Sequence, residues 1–341
     1  MVKKKGQQTY LCDRKVYIRD CAAIVGPREK DGPLGEYFDE VQSEDFDEKS
    51  WEKAEAKFTE ATFQKLLNKT KLNIENLDCV LSGDLMNQCI ASSIGLKDFG
   101  VPYLGLFGAC STIAEGMVVG SLLINSEAMN NIICMASSNF CSAEKTFRMP
   151  LEQGGQRPTT SQCTVSAAAG VLLSSMPEGP VISSVTVGKI IDYNVTDANN
   201  MGAAMAPAAA DTIISHLKDT GRSASYYDAI ITGDLGLTGS GLLREIMDMH
   251  GYSLYDKSKE QFIHKDCGAM IFDPLKQGTN SGGSGCGCIA SVFSSFFYKQ
   301  LKERKLKRIL LVGTGALMSP VSVKQSESIS GIAHAVEIEA V

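Results

Sequence analysis

The sequence predicts an α/β fold made of two duplicated halves, in which helices cover mainly parallel strands. Apolar segments of strand length alternate with helix-length segments along most of the chain, which is typical of such folds. Residues 78–85 reappear as residues 228–235, and residues 110–114 align with residues 286–290. Two ungapped matches with their strands in the same order indicate a duplicated βαβ unit.

Length and composition restrict the class of protein. At about 150 residues per domain, 341 residues predict two units, which we place at 1–188 and 189–341. A net charge of −6 argues against general nucleic-acid binding, because such proteins carry basic patches. The chain opens with no signal-peptide pattern, and no apolar run reaches the roughly 20 residues that span a bilayer. The 11 cysteines lie in apolar segments, so we expect reduced thiols rather than disulfides.

Periodicity and punctuation place the individual elements. A helix is predicted over residues 50–67, and later helices over 205–218, 240–249 and 289–303. Gly221 and Gly251 stand where a glycine ends a helix. The predicted strands share short apolar runs bounded by turn residues; they are 16–24, 79–82, 102–107, 132–136, 165–174 and 181–187.

The sharpest local feature is an elbow, residues 105–117, in which a strand ends on Gly108, Cys110 follows, and a helix begins. Thr112 and Glu115 have the spacing of a capping box. The positive end of a helix favours a thiolate or a bound carboxylate, so Cys110 is a candidate reactive or ligand-binding residue. A buried structural cysteine is the alternative, and the local sequence does not separate the two.

Eight ordered motifs extend this picture over nearly the whole chain. They are 26–29 (GPRE), 32–35 (GPLG), 50–55 (SWEKAE), 82–88 (SGDLMNQ), 108–112 (GACST), 143–148 (AEKTFR), 155–158 (GQRP) and 201–209 (MGAAMAPAA). On these motifs the chain resembles the stage V sporulation protein AD family. The wider pattern, a duplicated chain with a strand–Cys–helix elbow, resembles the thiolase fold of thiolases and ketoacyl synthases.

The resemblance implies a layered α/β/α/β/α arrangement and a protein that binds dipicolinic acid, pyridine-2,6-dicarboxylate. It further implies uptake of that acid into the developing endospore, integral membrane partners of the same complex, a homodimer, and a place on the spore inner membrane after cytoplasmic synthesis. Two positions depart from the family pattern. Asn139 stands where a histidine is usual, and Cys163 lies in a segment that usually carries a tryptophan near Thr164.

The positions of the histidines indicate whether a general base for catalysis is present. Acyl transfer on the thiolase fold needs a general base from second-half loops that face the elbow. The two corresponding loops, residues 233–239 and 280–288, contain no histidine, and the chain has four histidines in all. Cys110 therefore has the position of a nucleophile without its expected base, and we predict a non-catalytic protein.

A dianionic aromatic ligand requires hydrogen-bond donors, cations and flat apolar walls. The elbow offers Cys110 and Ser111. Ser137, Ser138 and Asn139 follow a core strand at the end where ligands bind in parallel sheets.

Cations for the two carboxylates come from Arg148 and Arg157, with Lys145 a weaker candidate. Asp192, with Asp197 and Asn200 in the same connector, could orient a donor or hold Ca²⁺ carried with the ligand. No other cofactor and no metal site is predicted.

Three functions stay open at this point. The first is dipicolinate binding in a pocket over Cys110. The second is an acyl-transfer enzyme of ketoacyl-synthase type that uses Cys110. The third is a scaffold whose pocket has lost its function, which is compatible with the first.

Overall fold

The computed structural model describes residues 3–147 and 157–341. The strands in this part of the chain are β1 (Lys3–Lys5), β2 (Thr9–Val25), β3 (Glu40–Val41), β4 (Cys79–Gly83), β5 (Tyr103–Gly105), β6 (Asn131–Ser138), β7 (Cys163–Thr164), β8 (Ala167–Ser174), β9 (Val181–Thr186), β10 (Ala229–Thr232), β11 (Tyr255–Asp256), β12 (Gln261–Phe262), β13 (His264–Asp266), β14 (Gly283–Ser284), β15 (Arg308–Leu317) and β16 (Ser330–Glu339). The helices are α1 (Pro27–Lys30), α2 (Trp51–Thr70), α3 (Ile90–Leu96), α4 (Thr112–Asn125), α5 (Phe140–Phe147), α6 (Met201–Thr220), α7 (Gly236–Met249), α8 (Cys267–Ile271), α9 (Pro274–Gln277), α10 (Cys286–Val292), α11 (Tyr298–Lys302) and α12 (Pro320–Lys324).

The sheet shows the duplication directly. One set of strands lies side by side in the order β5-β4-β6-β8-β2, all from the first half. The other set has the order β13-β10-β15-β16-β9, in which β9 comes from the end of the first half and the other four strands from the second. The repeated segments occupy equivalent places, since β4 matches β10 and β6 matches β15. In each set three neighbouring strands are parallel and the next pairs antiparallel.

The two sets are joined through their last strands. β9 pairs antiparallel with β2 on one side and with β16 on the other. The β2–β9 register is interrupted between Leu11 and Val16, and the strands resume pairing beyond this irregularity. β9 is the last strand before the predicted boundary at 188/189, and that boundary stays a prediction.

Helices form layers outside and between the two sets of strands. α2 and α3 cover one face of the first set, whereas α6 and α7 cover the outer face of the second. α4 contacts strands of both sets, and α10 packs on β6 and β8. The order is therefore α/β/α/β/α, as the resemblance implies.

Strands covered on both faces explain the continuous apolar runs in the sequence. Every residue of β8 is buried, and so is every residue of β6 except the first. A side chain on either face of such a strand meets a helix, so no polar alternation is required.

Most predicted elements are present with shifted ends. The helix predicted from residue 50 begins at Trp51, where the Ser50 side chain accepts the Lys53 N–H at 3.3 Å. α6 begins at Met201 rather than 205 and accommodates Pro207 in its interior. The helix predicted over 289–303 is divided, because a π-helical turn at Phe293–Phe297 separates α10 from α11.

Gly221 and Gly251 both have positive φ at the ends of α6 and α7, as predicted. Over residues 3–147 and 157–341, no helix combines the length and apolar character that crossing a bilayer requires.

Candidate functional site

A cavity of about 440 Å³ opens where strands of the two halves end. Cys110 and Gly285 contribute to its wall, one from each half. The other lining residues are mostly apolar: Leu85, Phe107, Ala109, Ala143, Phe147, Met201, Ala316, Leu317 and Met318. The polar lining residues are Glu144, Thr164, Ser284, Ser319 and Ser322. A cavity of this size and character suits a small, flat, largely apolar molecule with a few polar groups.

The elbow brings Cys110 to this cavity. A 3₁₀ turn at Ala109–Ser111 follows β5 and leads directly into α4, and Ala109 has a φ of 51°. The predicted capping box is wrong. The Thr112 hydroxyl donates to the Ala109 carbonyl at 2.6 Å instead, because the preceding turn is already helical and leaves no extended N-cap.

Burial and the nearby Asp234 carboxylate together keep Cys110 as a thiol. Asp234 approaches from the loop after β10. Burial raises the pKa of Cys110 well above its ordinary value of 9.0, and the Asp234 charge raises it further. A reactive cysteine requires the opposite environment, a cation or a dipole that stabilises the thiolate.

Asp234 is itself embedded in a hydrogen-bond network. Thr314 Oγ1 donates to one carboxylate oxygen at 2.9 Å, and the Gly285 N–H donates to the other at 3.1 Å. Burial nevertheless raises the pKa of Asp234 to about 7, against the lowering effect of its donors. The loop predicted to face the elbow does so, and it presents a carboxyl group where a histidine was sought.

The four histidines all lie away from the lining residues. His216 hydrogen-bonds Thr186 and Tyr227 at 2.8 and 2.7 Å, and His264 hydrogen-bonds Thr232 at 2.8 Å. Burial lowers the pKa of both imidazoles to about 3 and that of His334 to about 4. Neutral, hydrogen-bonded rings of this kind serve packing.

Four of the predicted ligand donors are buried beside the cavity and hydrogen-bonded within the protein. Ser111 Oγ donates to Gly108 O at 2.6 Å, and Ser138 Oγ donates to Val165 O at 2.6 Å. Ser137 Oγ donates to Glu55 at 3.0 Å, and Asn139 caps α5 by accepting the Cys141 N–H at 3.0 Å. None of these four residues is among those that line the cavity, whereas Cys110 is.

The three predicted cations differ in their position relative to the cavity. Arg157 lies against the cavity wall, where its Nη2 is 2.9 Å from Oε2 of the lining residue Glu144. Lys145 pairs with Glu52 at 2.9 Å and is mostly exposed. Arg148 lies outside the described residues.

Asp192 is not one of the lining residues. It is exposed in the connector before α6, where it accepts hydrogen bonds from the Asn194 N–H at 2.7 Å and Ser328 Oγ at 2.5 Å. Both contacts occupy the carboxylate within the connector and the segment before β16.

Comparison with known proteins identifies the family. Residues 6–339 match the family described as stage V sporulation protein AD. The chain is also 41% identical to the stage V sporulation protein AD of Bacillus subtilis (strain 168) over 339 residues, covering 99% of this chain and 98% of that protein. The chain belongs to the stage V sporulation protein AD family.

Solved structures place this sporulation protein in the thiolase-like fold. Cerulenin-bound OleA of Xanthomonas campestris superposes with a TM-score of 0.60 at 13% identity, covering 99% of this chain and all of that one. A variant of the same protein with bound lauric acid and lauroyl-CoA has a TM-score of 0.61 at 13% identity, with coverages of 95% and 99%. At such identities the likeness concerns the fold.

Asp234 and Glu144 are the site residues that the sequence reasoning missed. Asp234 lies in the loop 233–239, in which a histidine was expected, but the sequence did not identify its carboxyl group as a site residue. The internal repeat predicts that this loop faces Cys110, and that prediction could have identified Asp234 as a neighbour of the thiol. Glu144 sits within a family motif, between Ala143 and Phe147 of the wall. A lone glutamate on a short helix gives no signal of burial.

Proposed function

We propose that this sporulation protein binds dipicolinic acid in the cavity over Cys110 without catalysis. It would support uptake of the acid into the developing endospore as the soluble component of a membrane channel complex. The observation that carries the proposal is the cavity itself, which is lined by flat apolar groups and has the neutral thiol of Cys110 in its wall. Family membership supplies the biological setting.

The lining residues suit an aromatic ligand whose ring carries polar substituents. Phe107 and Phe147 offer flat walls, and the hydroxyls of Thr164 and Ser284 offer donors for carboxylate oxygens. Arg157 adjoins this wall through Glu144 and supplies a guanidinium whose planar fork matches a carboxylate. Ca²⁺ carried with the ligand would add a positive charge of its own, and titrations with and without calcium distinguish the two forms.

Isothermal titration calorimetry with dipicolinate tests the proposal. We expect saturable heat for the wild type and an affinity reduced by about fivefold in Cys110→Ala, which removes a lining group worth roughly 1 kcal/mol. Cys134→Ala is the matched control, because Cys134 is buried in β6 away from the cavity. No heat above dilution at millimolar dipicolinate would sink the proposal.

Acyl transfer is the competing function, and one observation favours it. The cavity is predominantly apolar with a cysteine in its wall, and the similar OleA structure holds lauric acid and lauroyl-CoA. Against it, the pKa of Cys110 is raised and its partner is a carboxylate. Incubation with acyl-CoA followed by peptide mass spectrometry decides between the two, since an acyl adduct on Cys110 would establish the enzyme.

A homodimer fits the exposed edge of the first half. β5 is the edge strand there; Leu104 within it and Phe107 just after it are 48% and 57% exposed. Unpaired strand edges with apolar side chains are suited to pairing with a second copy. Sedimentation equilibrium giving the mass of one chain would contradict the dimer.

Association with integral membrane partners on the spore inner membrane is the remaining part of the proposal. It rests on family membership together with the absence of a membrane-crossing helix from the described residues. Fractionation of sporulating cells with and without the membrane partners tests it. The protein should leave the membrane fraction when those partners are absent.

A further inference from the structure

Two arginines lie against one aromatic ring at the side of the cavity. The guanidinium carbons of Arg28 and Arg157 are 5.6 and 5.4 Å from the ring centroid of Phe140, which begins α5. We call Arg28, Phe140 and Arg157 the arginine vestibule. It adjoins the cavity because Glu144, one turn along α5, pairs with Arg157 and lines the wall.

Of the two vestibule arginines, one is ion-paired and the other is not, among the residues that the structure describes. Arg157 is paired with Glu144 at 2.9 Å. Within residues 3–147 and 157–341, no carboxylate forms an ion pair with Arg28, and the adjacent Glu29 carboxyl turns instead toward the Ser166 N–H at 3.0 Å. A half-buried, unpaired guanidinium beside apolar walls concentrates its field on the space next to it.

Arg28 is held in this position. Its Nη2 donates to Gln277 O at 3.0 Å, while the Gln277 side chain donates back to Arg28 O at 2.8 Å. A second ring, that of Phe272, lies 5.5 Å from the guanidinium carbon. These contacts come from α9 and the segment after α8, so the second half fixes an arginine of the first half beside the cavity.

Arg157 retains capacity for a ligand. Its Nη2 faces Glu144, and its Nη1 donates to the Cys163 sulfur at 3.4 Å. An arginine has five N–H groups, so three are left by these contacts. Thr164, next to Cys163, already lines the cavity.

We propose that the arginine vestibule is the approach site for an aromatic dicarboxylate: Arg28 attracts and first holds one carboxylate, and Arg157 binds it at the cavity wall. This inference rests on the proposed function. To the proposed binding of dipicolinate it adds a further ligand-contacting residue, Arg28. It also adds a step before binding, in which the charge of Arg28 guides the association of the ligand. The charges at the cavity itself, Glu144 in the wall and Asp234 below Cys110, are acidic and would otherwise slow the approach of a dianion.

Stopped-flow measurement of dipicolinate association, followed by ligand absorbance, tests the step in the full chain. Arg28→Gln should lower the association rate constant about threefold to tenfold at low ionic strength, with little change in the dissociation rate. The difference should vanish near 1 M salt, where the screening length is about 3 Å. Arg28→Lys keeps the charge and should retain most of the rate.

Arg304→Gln is the matched control, since Arg304 is exposed just before β15 begins, whereas the cavity lies where β15 ends. It removes the same unit of charge and should leave the rate unchanged. Equal rates for Arg28→Gln and Arg304→Gln, with wild-type binding intact, would overturn the approach site and leave the proposed function standing. A loss that persists in 1 M salt would also overturn it. Absence of any wild-type binding would overturn both.

Discussion

Cys110 and Asp234 decide the chemistry of the cavity at the scale of single residues. A thiolate at Cys110 would place a second negative charge next to the buried Asp234 carboxylate, which already receives hydrogen bonds from Gly285 and Thr314. Because the interior screens charge poorly, the neutral thiol is favoured. The same carboxylate that could act as a base therefore suppresses the anion that it would generate.

Alkylation kinetics test this electrostatic effect. Asp234→Asn removes the charge and keeps a similar shape, so the pKa of Cys110 should fall and its thiolate should be more abundant at a given pH. We expect iodoacetamide labelling of Cys110 at pH 8 to accelerate about tenfold, the factor for one pKa unit. Peptide mass spectrometry over time measures the rate.

Cys141 provides an internal reference in the same samples. It is half-buried on α5, with a pKa raised to about 11 mainly by burial, and Asp234 does not contribute to that shift. Its labelling rate should be equal in both proteins. Parallel acceleration of both cysteines would mean that the variant has loosened the fold, and an unchanged Cys110 rate would contradict the electrostatic account.

Glu29 predicts how stability depends on pH. Burial raises its pKa to about 8, and its Oε2 has no hydrogen-bond partner among the described residues. The native protein thus keeps a proton that the unfolded chain releases, so this residue lowers the free energy of unfolding as pH rises from about 4.5 to about 8. Glu29→Gln should be more stable than wild type at pH 8, by up to about 4 kcal/mol, and about equal at pH 4.5.

Urea unfolding at the two pH values measures this difference. The control is Glu36→Gln, because Glu36 is exposed nearby and pairs with Lys30 at 2.6 Å. That variant should follow the wild-type curve. A constant offset between Glu29→Gln and wild type at both pH values would show that the effect is not titration of Glu29.

Sequence reasoning reached part of the site. Cys110 was found through the repeat and the strand–turn–helix pattern, and Arg157 through its loop composition; the structure places both at the cavity. Ser137 and Asn139 were placed near it, but their side chains point to Glu55 and to the start of α5. Which way a short polar side chain turns depends on distant partners, and the sequence does not contain that information locally.

The elbow and β15 form a close contact at the scale of elements. A Cβ on Gly313 would lie 2.5 Å from Ala114 Cβ, and one on Gly315 would lie 2.7 Å from Gly108 O. These two glycines let a second-half strand approach the start of α4 in the first half. The position of Cys110 over the cavity therefore depends on a strand about 200 residues away in the sequence.

Gly313→Ala tests this contact. The added methyl group meets a side-chain atom of α4 and the Ser111 backbone, both buried, so we expect a loss of about 2–3 kcal/mol in the free energy of unfolding. Gly241→Ala is the matched control within α7, where a Cβ meets nothing within 4 Å. That change should stabilise by about 0.5–1 kcal/mol. Equal stability of the two variants would contradict the close packing.

Element ends were harder to predict than element types. α10 and α11 were expected as one helix, because the apolar pattern of residues 289–303 is continuous. The intervening π-turn shifts the register of hydrogen bonds without changing composition. Likewise, the elbow has the spacing of a capping box, but its 3₁₀ turn satisfies Thr112 differently. Local sequence rules fail where packing between elements fixes the backbone.

For the whole molecule, the duplication was the strongest signal in the sequence. The repeated segments predicted equivalent strands, and the sheet places β4 and β10, and β6 and β15, at equivalent positions. The joining of the halves through β2 and β9 was not predicted. Antiparallel pairing between distant segments leaves no local pattern in the sequence, and the β2–β9 register is irregular between Leu11 and Val16.

The joined halves predict a single folding unit. α4 of the first half packs on β15 and β16, α10 of the second half packs on β6 and β8, and β9 bridges β2 and β16. Residues 1–188 alone would expose the surfaces that these elements cover, at roughly 25 cal/mol per Å² of apolar area. We expect this fragment to lack a cooperative thermal transition by circular dichroism, while co-expression with 189–341 restores a complex that unfolds in one step. A cooperative transition for 1–188 by itself would show that the first half folds independently, and the cavity between the halves would then depend on docking rather than on folding.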